Sequence, residues 1–301
     1  MSVELKNIVI IGFGLIGSSI ARAVKRKDPS IKITAIDCNR DYLQYAVDNN
    51  IADVAYDEYD HYLSDADLII LCTPIGQMGK IAQAISPYLL KNIVVSDVGS
   101  VKQSVVESVT DKLPYPEMFV PAHPISGAET SGPESGFAEL YNDRWAIITP
   151  TEQTDLRAIE TVTALWELCG ANVDFMEMKH HDLVLAITSH LPHLIAYSIV
   201  GTASNMAEDL QREVIKYSAG GFRDFTRIAG SDPVMWRDIF IENKDSVLDV
   251  LQRFSEDLTE LQKAIRKDKS EFLEEHFIKT RKIRNAVLDS GQAGRTPYKK
   301  V

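Results

Sequence analysis

Short apolar runs rich in β-branched residues recur through the first half of the chain, and helical stretches separate them. Several of the runs are apolar nearly throughout, as expected of central strands that are buried on both faces of a sheet. We predict strands at 7–12, 32–37, 68–73, 93–97, 118–124, 145–150 and 172–177. Strands that alternate with helices indicate an α/β domain with a doubly wound sheet, here over residues 1–177.

The strand pattern stops after about residue 177. Residues 179–203 are apolar almost all round, which is typical of an interior helix, and further helical segments follow near 205–219, 232–253 and 254–288. Pro192 cannot donate a hydrogen bond to the carbonyl of Thr188, so we expect a kink there. Residues 178–290 are therefore predicted to form an all-helical domain, and the polar residues 291–301 a frayed tail.

Composition and charge narrow the class of protein. A length of 301 residues suggests about two domains, and no apolar run reaches the ~18 residues that a membrane span needs. The formal charge of -11 argues against broad attraction to nucleic acid. The first residues resemble a strand more than a secretory signal, and three widely spaced cysteines with apolar neighbours fit buried thiols in a reducing compartment. We expect a cytoplasmic protein that binds neither membrane nor nucleic acid.

A glycine-rich turn follows the first predicted strand and opens directly into a helix. Its GxGxxG pattern consists of Gly12, Phe13, Gly14, Leu15, Ile16 and Gly17. The first glycine permits a tight turn, the second lets the backbone approach a pyrophosphate, and the third lets helix and strand pack closely. Free N–H groups at the start of the helix then meet the anion. The motif and its context predict a Rossmann-like dinucleotide site.

The second predicted strand ends in a carboxylate, Asp37, twenty residues after the last glycine of the motif. A carboxylate in this place accepts hydrogen bonds from the adenosine ribose hydroxyls and repels a 2′-phosphate. This favours NAD over NADP as the cofactor, although Arg40 nearby leaves NADP open.

Further polar residues follow three other predicted strands. Thr73 and Pro74 come at the end of one, Asp97 and Ser100 at the end of another, and His123 at the end of a third. Because ligands of such sheets bind at the carboxyl ends of the strands, we expect these residues on one rim. Imidazole suits acid–base chemistry near neutral pH, but a histidine satisfied by backbone hydrogen bonds in a tight loop fits His123 equally well.

Two histidines and three arginines lie in the helical half. His190 and His193, in SHLPH, are three residues apart and share a helix face. A third ligand at a spacing suited to zinc is not evident, so we expect no metal; a core-packing role for one of the two stays open. Arg223, Arg227 and Arg237 lie in a largely apolar stretch, where they either pair with neighbouring aspartates or bind an anionic ligand.

Five motifs, taken in order, resemble those of one family, the prephenate/arogenate dehydrogenases of tyrosine biosynthesis. They are VIIGFGLIGSSIA, DVGSVK, AHPISGAETSG, SHLPH and GGFRDFTRIAGSDPVMWRDI. The first is generic to dinucleotide enzymes, whereas the other four are specific, and the resemblance covers roughly residues 7–285.

The resemblance implies a homodimer in which each subunit joins a Rossmann-like domain to a helical dimerisation domain, with the active site in the cleft between them. It implies oxidative decarboxylation of prephenate to 4-hydroxyphenylpyruvate with NAD as hydride acceptor. The alternative is an arogenate dehydrogenase, or a cyclohexadienyl dehydrogenase that accepts both substrates, which would make tyrosine directly. An NAD-binding regulator without catalytic activity is a more distant alternative.

The resemblance also implies roles for individual residues. His123 is the catalytic histidine and Ser100 is its mechanistic partner. The substrate-binding residues are Arg227, His193, His190, Glu129 and Asp224. Of these, Arg227 binds a substrate carboxylate, His193 lies near the pyruvyl side chain, and Asp224 pairs with Arg227 when the site is empty.

Overall fold

The computed structural model describes residues 5–128, 130–205, 213, 216–217 and 219–289. The chain divides into two compact units, one up to Val247 and one from Leu248. This division falls inside the helical half because the helices of residues 178–247 belong to the same compact unit as the sheet. The domain boundary after residue 177 stays a prediction.

The main sheet has six strands, all parallel, in the order β3-β2-β1-β4-β5-β6. The strands are β1 Asn7–Ile11, β2 Lys32–Ile36, β3 Val54–Tyr56, β4 Leu68–Leu71, β5 Val94–Asp97 and β6 Phe119–Val120. The intervening helices are α1 Leu15–Lys27, α2 Arg40–Asp48, α3 Ile75–Ile85 and α4 Gln103–Val109. The doubly wound, Rossmann-like sheet is confirmed. Strand β3 was not predicted from the sequence, because it is a three-residue edge strand that is not deeply buried and has no long apolar run.

Alternate residues of the central strands pack into two separate cores. Ile8 and Ile10 of β1 contribute to the core beneath α1 and α2, and Val9 and Ile11 contribute to the core beneath α3 and α4. Burial on both faces explains the continuous apolar runs from which the strands were predicted. Trp236 also joins the second core, which attaches the chain around this residue to the sheet.

A second sheet of three strands lies beyond the first. Its strands are β7 Ala122–Pro124, β8 Trp145–Ile148 and β9 Asn172–Phe175, with α5 Leu156–Leu168 before β9. The prediction of one strand at 118–124 is wrong, because the chain leaves the first sheet at Pro121, which has no N–H to continue the ladder. Thr149 instead donates its backbone N–H to the Pro121 carbonyl (3.0 Å). Because of this break, β6 belongs to the first sheet and β7 to the second.

The described residues after β9 are helical. They form α6 Met178–Leu185, a π-helical turn Ala186–His190, α7 Leu191–Ser204, α8 Gly220–Thr226, a 3₁₀ turn Arg227–Gly230, α9 Pro233–Glu242, α10 Lys244–Arg266 and α11 Ser270–Asp289. The predicted helix break after residue 253 is wrong. The breaks come at Asn243, which caps α9, and near Asp268, whose φ is +49°. The predicted tail at 291–301 and most of the predicted helix at 205–219 lie outside the described residues.

Pro192 follows the π-helical turn at the start of α7, so the expected departure from α-helical geometry occurs there. The prediction of an interior helix is wrong for the single chain, because Ile187 is 53% exposed and Val200 is 39% exposed. By length and composition alone, the 27-residue segment Met178–Ser204 is apolar enough to span a bilayer, because an 18-residue window within it has a mean hydropathy of 1.6. The prediction that no such segment exists is therefore corrected; one such helix is weak evidence for a membrane span.

The cysteines only partly follow the expectation of buried thiols. Cys169 is buried, Cys72 is partly buried and Cys38 is exposed, because Cys38 lies just beyond the end of β2. All three are free thiols.

Candidate active site

The glycine turn between β1 and α1 has the geometry that its motif predicts. Gly12 adopts a φ of +93°, and a Cβ at Gly17 would lie 2.2 Å from the carbonyl oxygen of Gly12. A Cβ at Gly14 would meet no atom within 4 Å, so the turn faces open space on that side. Beside it, the hydroxyl of Thr73 is buried and has no hydrogen-bond partner among the described residues. An open turn beside an unsatisfied hydroxyl fits a dinucleotide pyrophosphate bound at the start of α1.

Asp37 lies at the end of β2 and touches the same turn. One of its carboxylate oxygens accepts a hydrogen bond from the Phe13 N–H (2.6 Å), and the other accepts from the Asn39 N–H (2.8 Å). The side chain of Arg40 donates through Nε to Asp57 (2.8 Å), so its guanidinium is already engaged by a carboxylate. The side chains at the end of β2 are therefore arranged for ribose hydroxyls more than for a 2′-phosphate.

His123 lies on β7 with only 9% of its surface exposed and forms the end of a hydrogen-bonded chain. Its Nδ1 is 2.9 Å from Nε2 of His181, and Nδ1 of His181 is 2.8 Å from a carboxylate oxygen of Asp182. An ionised carboxylate only accepts, so we assign the proton of His181 to Nδ1. His181 Nε2 then accepts from the Nδ1–H of His123. This leaves Nε2 of His123 with the lone pair of a general base.

Asp182 links the hydrogen-bonded side chains of His123 and His181 to the start of α4. Its two carboxylate oxygens accept the backbone N–H groups of Lys102 (2.8 Å) and Gln103 (2.9 Å) as well as the Nδ1–H of His181. A carboxylate that accepts three N–H donors is fixed in position. His181 and Asp182 were not predicted from the sequence, since the HHD cluster at the start of an apolar helix was the only available signal.

Burial governs the protonation of the imidazoles. It lowers the pKa of His123 well below the ordinary value, and the charges of His181, Lys102 and His190 act in the same direction. Burial also lowers the pKa of His181, although the hydrogen bond to Asp182 opposes this. His123 is therefore neutral at neutral pH, as an acceptor must be.

His190 and His193 flank the indole of Trp236. The ring of His193 stacks on it, with centroids 3.6 Å apart, and its Nδ1 donates to the Ser189 carbonyl (2.8 Å). His190 is fully buried, and its Nδ1 lies 3.0 Å from the amide nitrogen of Asn243. Its Nε2 is buried without a hydrogen-bond partner among the described residues. Burial lowers the pKa of His190 to about 4, so it too is neutral.

The other predicted residues are not all brought together. Arg227 opens the 3₁₀ turn after α8, and both this turn and α8 pack on α7; Arg227 and Asp224 are exposed. Ser100 is partly buried three residues after Asp97. Glu129 lies outside the described residues. Arg237 pairs with Asp238 (2.6 Å), one of the aspartate pairings considered for the arginines.

The described residues contain no group of three His, Cys, Asp or Glu side chains arranged to hold a metal ion. A pocket of about 420 Å³ lies between α3 and α4, lined in part by Gly76, Lys80, Ser108 and Glu242. None of the predicted site residues lines it, so the hydrogen-bonded chain and the glycine turn define the candidate site better than this pocket does.

Two family models together cover most of the chain. Residues 20–175 match the nucleotide-binding domain of prephenate dehydrogenase, and residues 177–279 match its dimerization domain. The chain belongs to the prephenate dehydrogenase family. The glycine turn at residues 12–17 precedes the matched range, so its assignment rests on its own geometry.

Individual members of the prephenate dehydrogenase family are similar over almost the full length of the chain. A cyclohexadienyl dehydrogenase of Zymomonas mobilis is 42% identical over 94% of this chain and 96% of its own length. A prephenate dehydrogenase of Bacillus subtilis is 34% identical, covering 96% and 78% respectively. The crystal structure of prephenate dehydrogenase from A. aeolicus, in complex with hydroxyphenyl propionate and NAD+, is 35% identical with a TM-score of 0.89, over 95% of this chain and 100% of that one.

Membership of the prephenate dehydrogenase family makes the chain an oxidoreductase but leaves the choice of substrate open, because these relatives carry two different names. The expectations from the sequence for the family and the fold are confirmed. The roles of individual residues stay predictions.

Proposed function

We propose that the chain is an NAD-dependent dehydrogenase that converts prephenate to 4-hydroxyphenylpyruvate, carbon dioxide and NADH, a step toward tyrosine. One observation carries the proposal: His123 is a buried neutral imidazole whose Nδ1 is engaged by His181, which directs the lone pair of Nε2 away from that partner. In a chain of the prephenate dehydrogenase family, this arrangement supports the role of a base toward a substrate hydroxyl.

The cofactor-binding residues proposed are the turn Gly12–Gly17 with Asp37, Thr73 and Pro74. The open side of Gly14 and the unsatisfied hydroxyl of Thr73 support binding of the phosphates there, and Asp37 supports NAD over NADP. NAD supplies the hydride acceptor when it is bound. The NAD+ in the A. aeolicus relative supports the same choice.

His123 acts on the ring hydroxyl of the substrate. As the carbinol carbon gives up hydride, positive charge develops at that carbon and its hydroxyl, and Nε2 of His123 stabilises it by accepting a hydrogen bond. The ring carboxylate leaves as carbon dioxide, and the electron pair of the broken C–C bond enters the ring, which becomes aromatic. General-base assistance of this kind is worth about 10²–10⁴ in rate. Ser100, on the loop after β5, assists His123 on the nicotinamide side.

Arg227 binds a carboxylate of the substrate, because a guanidinium binds a carboxylate bidentately. His193, with His190 beside it, contacts the side chain of the substrate. Glu129 and Asp224 complete the ionic surroundings of the site. The packing of the Arg227 turn on α7, the helix that carries His193, supports placing these groups in one site.

Arogenate, alone or together with prephenate, is the second candidate substrate, and two observations are consistent with it. The Zymomonas mobilis relative is named a cyclohexadienyl dehydrogenase. In addition, Nδ1 of His193 donates to Ser189, which leaves its Nε2 as an acceptor. An acceptor suits the ammonium group of arogenate, whereas a keto group needs a donor.

The absorbance of NADH after mixing the protein with NAD and either substrate tests the proposal. We expect a rising trace with prephenate and a higher kcat/KM for prephenate than for arogenate. A larger kcat/KM for arogenate would overturn the choice of substrate. A flat trace with both substrates across a range of pH, with NAD binding confirmed by calorimetry, would instead support an NAD-binding regulator.

The homodimer is proposed to form through the apolar helix of residues 178–204. Ile187, Ile199 and Val200 expose apolar surface there, and burying such surface is favourable by roughly 25 cal/mol per Å². The match to a dimerization domain supports a second copy, rather than a lipid bilayer, as the partner of this helix. The protein is then a cytoplasmic dimer.

Sedimentation velocity tests the dimer. Val200→Asp should shift the protein toward monomer, because a carboxylate would be buried without a partner. Leu156→Asp is the matched control, since Leu156 is an exposed leucine on α5 of the sheet domain. Equal sedimentation of all three proteins would contradict this interface.

A further inference from the structure

Lys102 is a fully buried lysine that the proposed reaction does not use. Its ammonium pairs with the equally buried carboxylate of Asp97, at the end of β5. An ammonium and a carboxylate each lose several kcal/mol of hydration when they are buried, so such a pair persists only where further hydrogen bonds satisfy both groups. The partners of this pair therefore indicate what it holds in place.

The pair holds both backbone polar groups of Ala122. Asp97 accepts the Ala122 N–H (3.2 Å), and the ammonium of Lys102 donates to the Ala122 carbonyl (2.7 Å). Ala122 lies between the strand break at Pro121 and the catalytic candidate His123. At this point the chain has left the first sheet and has just begun to pair with β8. The ion pair thus fixes the backbone to which the imidazole is attached.

The same pair also contacts the loop that carries Ser100 and the helix that carries the partner of His123. Asp97 accepts the N–H of Gly99, the residue before Ser100 (2.7 Å). The backbone N–H of Lys102 donates to Asp182, which orients His181. Three segments that are distant in sequence therefore meet at one buried charge pair.

We infer that the buried Asp97–Lys102 pair is a positioning device that sets His123 and Ser100 in register with each other. The inference rests on the proposed function for the roles of these two residues. Lys102 is a positioning residue, because its ammonium acts through the backbone of Ala122 rather than on substrate.

The pKa of His123 provides a second readout, which would not change if the Asp97–Lys102 pair were purely structural. The charges that act on His123 are those of His181 from α6, His190 from the π-helical turn and Lys102 from the segment after β5. Asp182 is hydrogen-bonded to His181, and Asp97 is paired with Lys102. The positive charge of Lys102 lowers the pKa of His123. Removing that charge while Asp97 stays ionised should therefore raise the pKa of His123.

Two variants and one control test the inference in the full-length protein. Lys102→Met removes the ammonium and keeps an unbranched apolar side chain of nearly the same length. Asp97→Asn combined with Lys102→Met removes both charges, so it leaves no unpaired charge in the core. We expect this double variant to fold even if Lys102→Met alone does not. The control combines Asp53→Asn with Lys25→Met, which removes the Lys25–Asp53 ion pair elsewhere in the same domain.

We expect kcat to fall about 10²-fold in both Lys102 variants with little change in KM, comparable to a displacement of the catalytic group by about 1 Å. The NMR titration of the His123 imidazole, assigned by its loss in His123→Asn, should move to higher pH in Lys102→Met. In the double variant the titration should return toward wild type while kcat stays low, since the hydrogen bond to Ala122 is still missing. The control should match wild type in both readouts.

Folded variants with the kcat of the wild type and an unmoved His123 resonance would overturn the inference and make the pair purely structural. The NMR readout does not depend on turnover. If the wild type turned over neither prephenate nor arogenate while the His123 resonance still moved in the variants, the proposed function would fail and the positioning of His123 by the pair would stand. If the wild type and both variants turned over substrate equally well, the proposed function would stand and the positioning role would fail.

Discussion

At the scale of single residues, the direction of the hydrogen bonds decides what each imidazole offers. Asp182 can only accept, and this fixes the proton of His181 on Nδ1 and that of His123 on its own Nδ1. Nε2 of His123 is therefore a hydrogen-bond acceptor, although the carboxylate that fixes its tautomer contacts His181 and not His123 itself. Its lowered pKa keeps that acceptor unprotonated through the physiological range of pH.

Replacing His123 by Asn should lower kcat by about 10²–10⁴ and change KM little, because the hydrogen bond to the substrate hydroxyl strengthens only as charge develops. Steady-state kinetics with prephenate and NAD measure both constants. A large rise in KM at unchanged kcat would mean that His123 serves binding alone.

Arg227→Ala should mainly raise KM, since a carboxylate clamp acts in the ground state and the transition state alike. Arg223→Ala is the matched control, because Arg223 is an exposed arginine one helical turn earlier, on α8. If the control raised KM and Arg227→Ala did not, the anion-binding role would belong to Arg223.

At the scale of elements, the glycine turn joins β1 to α1 at a spacing that leaves no room for side chains at two of its three glycines. A Cβ at Gly12 would lie 2.5 Å from the Cys72 carbonyl oxygen, and one at Gly17 would meet the turn itself. The turn is therefore tightly packed at Gly12 and Gly17, and among these three glycines only Gly14 faces open space where a ligand can bind.

Gly17→Ala should destabilise the protein and abolish NAD binding, because the new methyl group collides with backbone that cannot yield. Gly14→Ala should leave the thermal midpoint near that of the wild type and weaken NAD binding, since its methyl group would occupy the space for the pyrophosphate. Thermal unfolding and calorimetric titration with NAD separate the two effects. Unchanged NAD affinity in Gly14→Ala would argue against pyrophosphate binding at this turn.

Local features were predictable from the sequence and tertiary ones were not. The glycine turn and the buried strands β1, β2, β4 and β5 follow from patterns of a few residues, and the structure has them close to where they were predicted. The contact between His123 and His181 spans 58 residues, and that between Lys102 and Asp182 spans 80, so no local pattern reveals either. The break at Pro121 was visible as a proline, but its consequence depends on the pairing of β7 with β8.

At the scale of the whole molecule, the buried imidazoles make folding stability depend on pH. The pKa values of His123, His181, His190 and His193 are all lowered, chiefly by burial. The unfolded chain therefore binds more protons than the folded chain once pH falls below about 6.5. The stabilisation is fully present above that pH and is lost as pH falls further.

His190 should account for a measurable part of this loss. A pKa lowered from 6.5 to about 4 corresponds to roughly 3 kcal/mol of folding free energy, lost progressively between pH 6.5 and pH 4. His190→Asn keeps an acceptor for Asn243, and its free energy of unfolding in urea should fall less steeply with acidification. His61→Asn, at an exposed histidine, is the control and should behave as wild type. An identical pH dependence in His190→Asn would contradict the role of burial.

The proposed chemistry requires that His123 and Arg227, from opposite halves of the chain, act on the same substrate molecule beside the nicotinamide ring. A crystal structure of the protein with NAD and a hydroxyphenyl substrate analogue would show whether they do. We expect Nε2 of His123 within hydrogen-bond distance of the ring hydroxyl while the guanidinium of Arg227 binds a carboxylate of the same analogue. An analogue that touches neither side chain, or only one of them, would refute the proposed site.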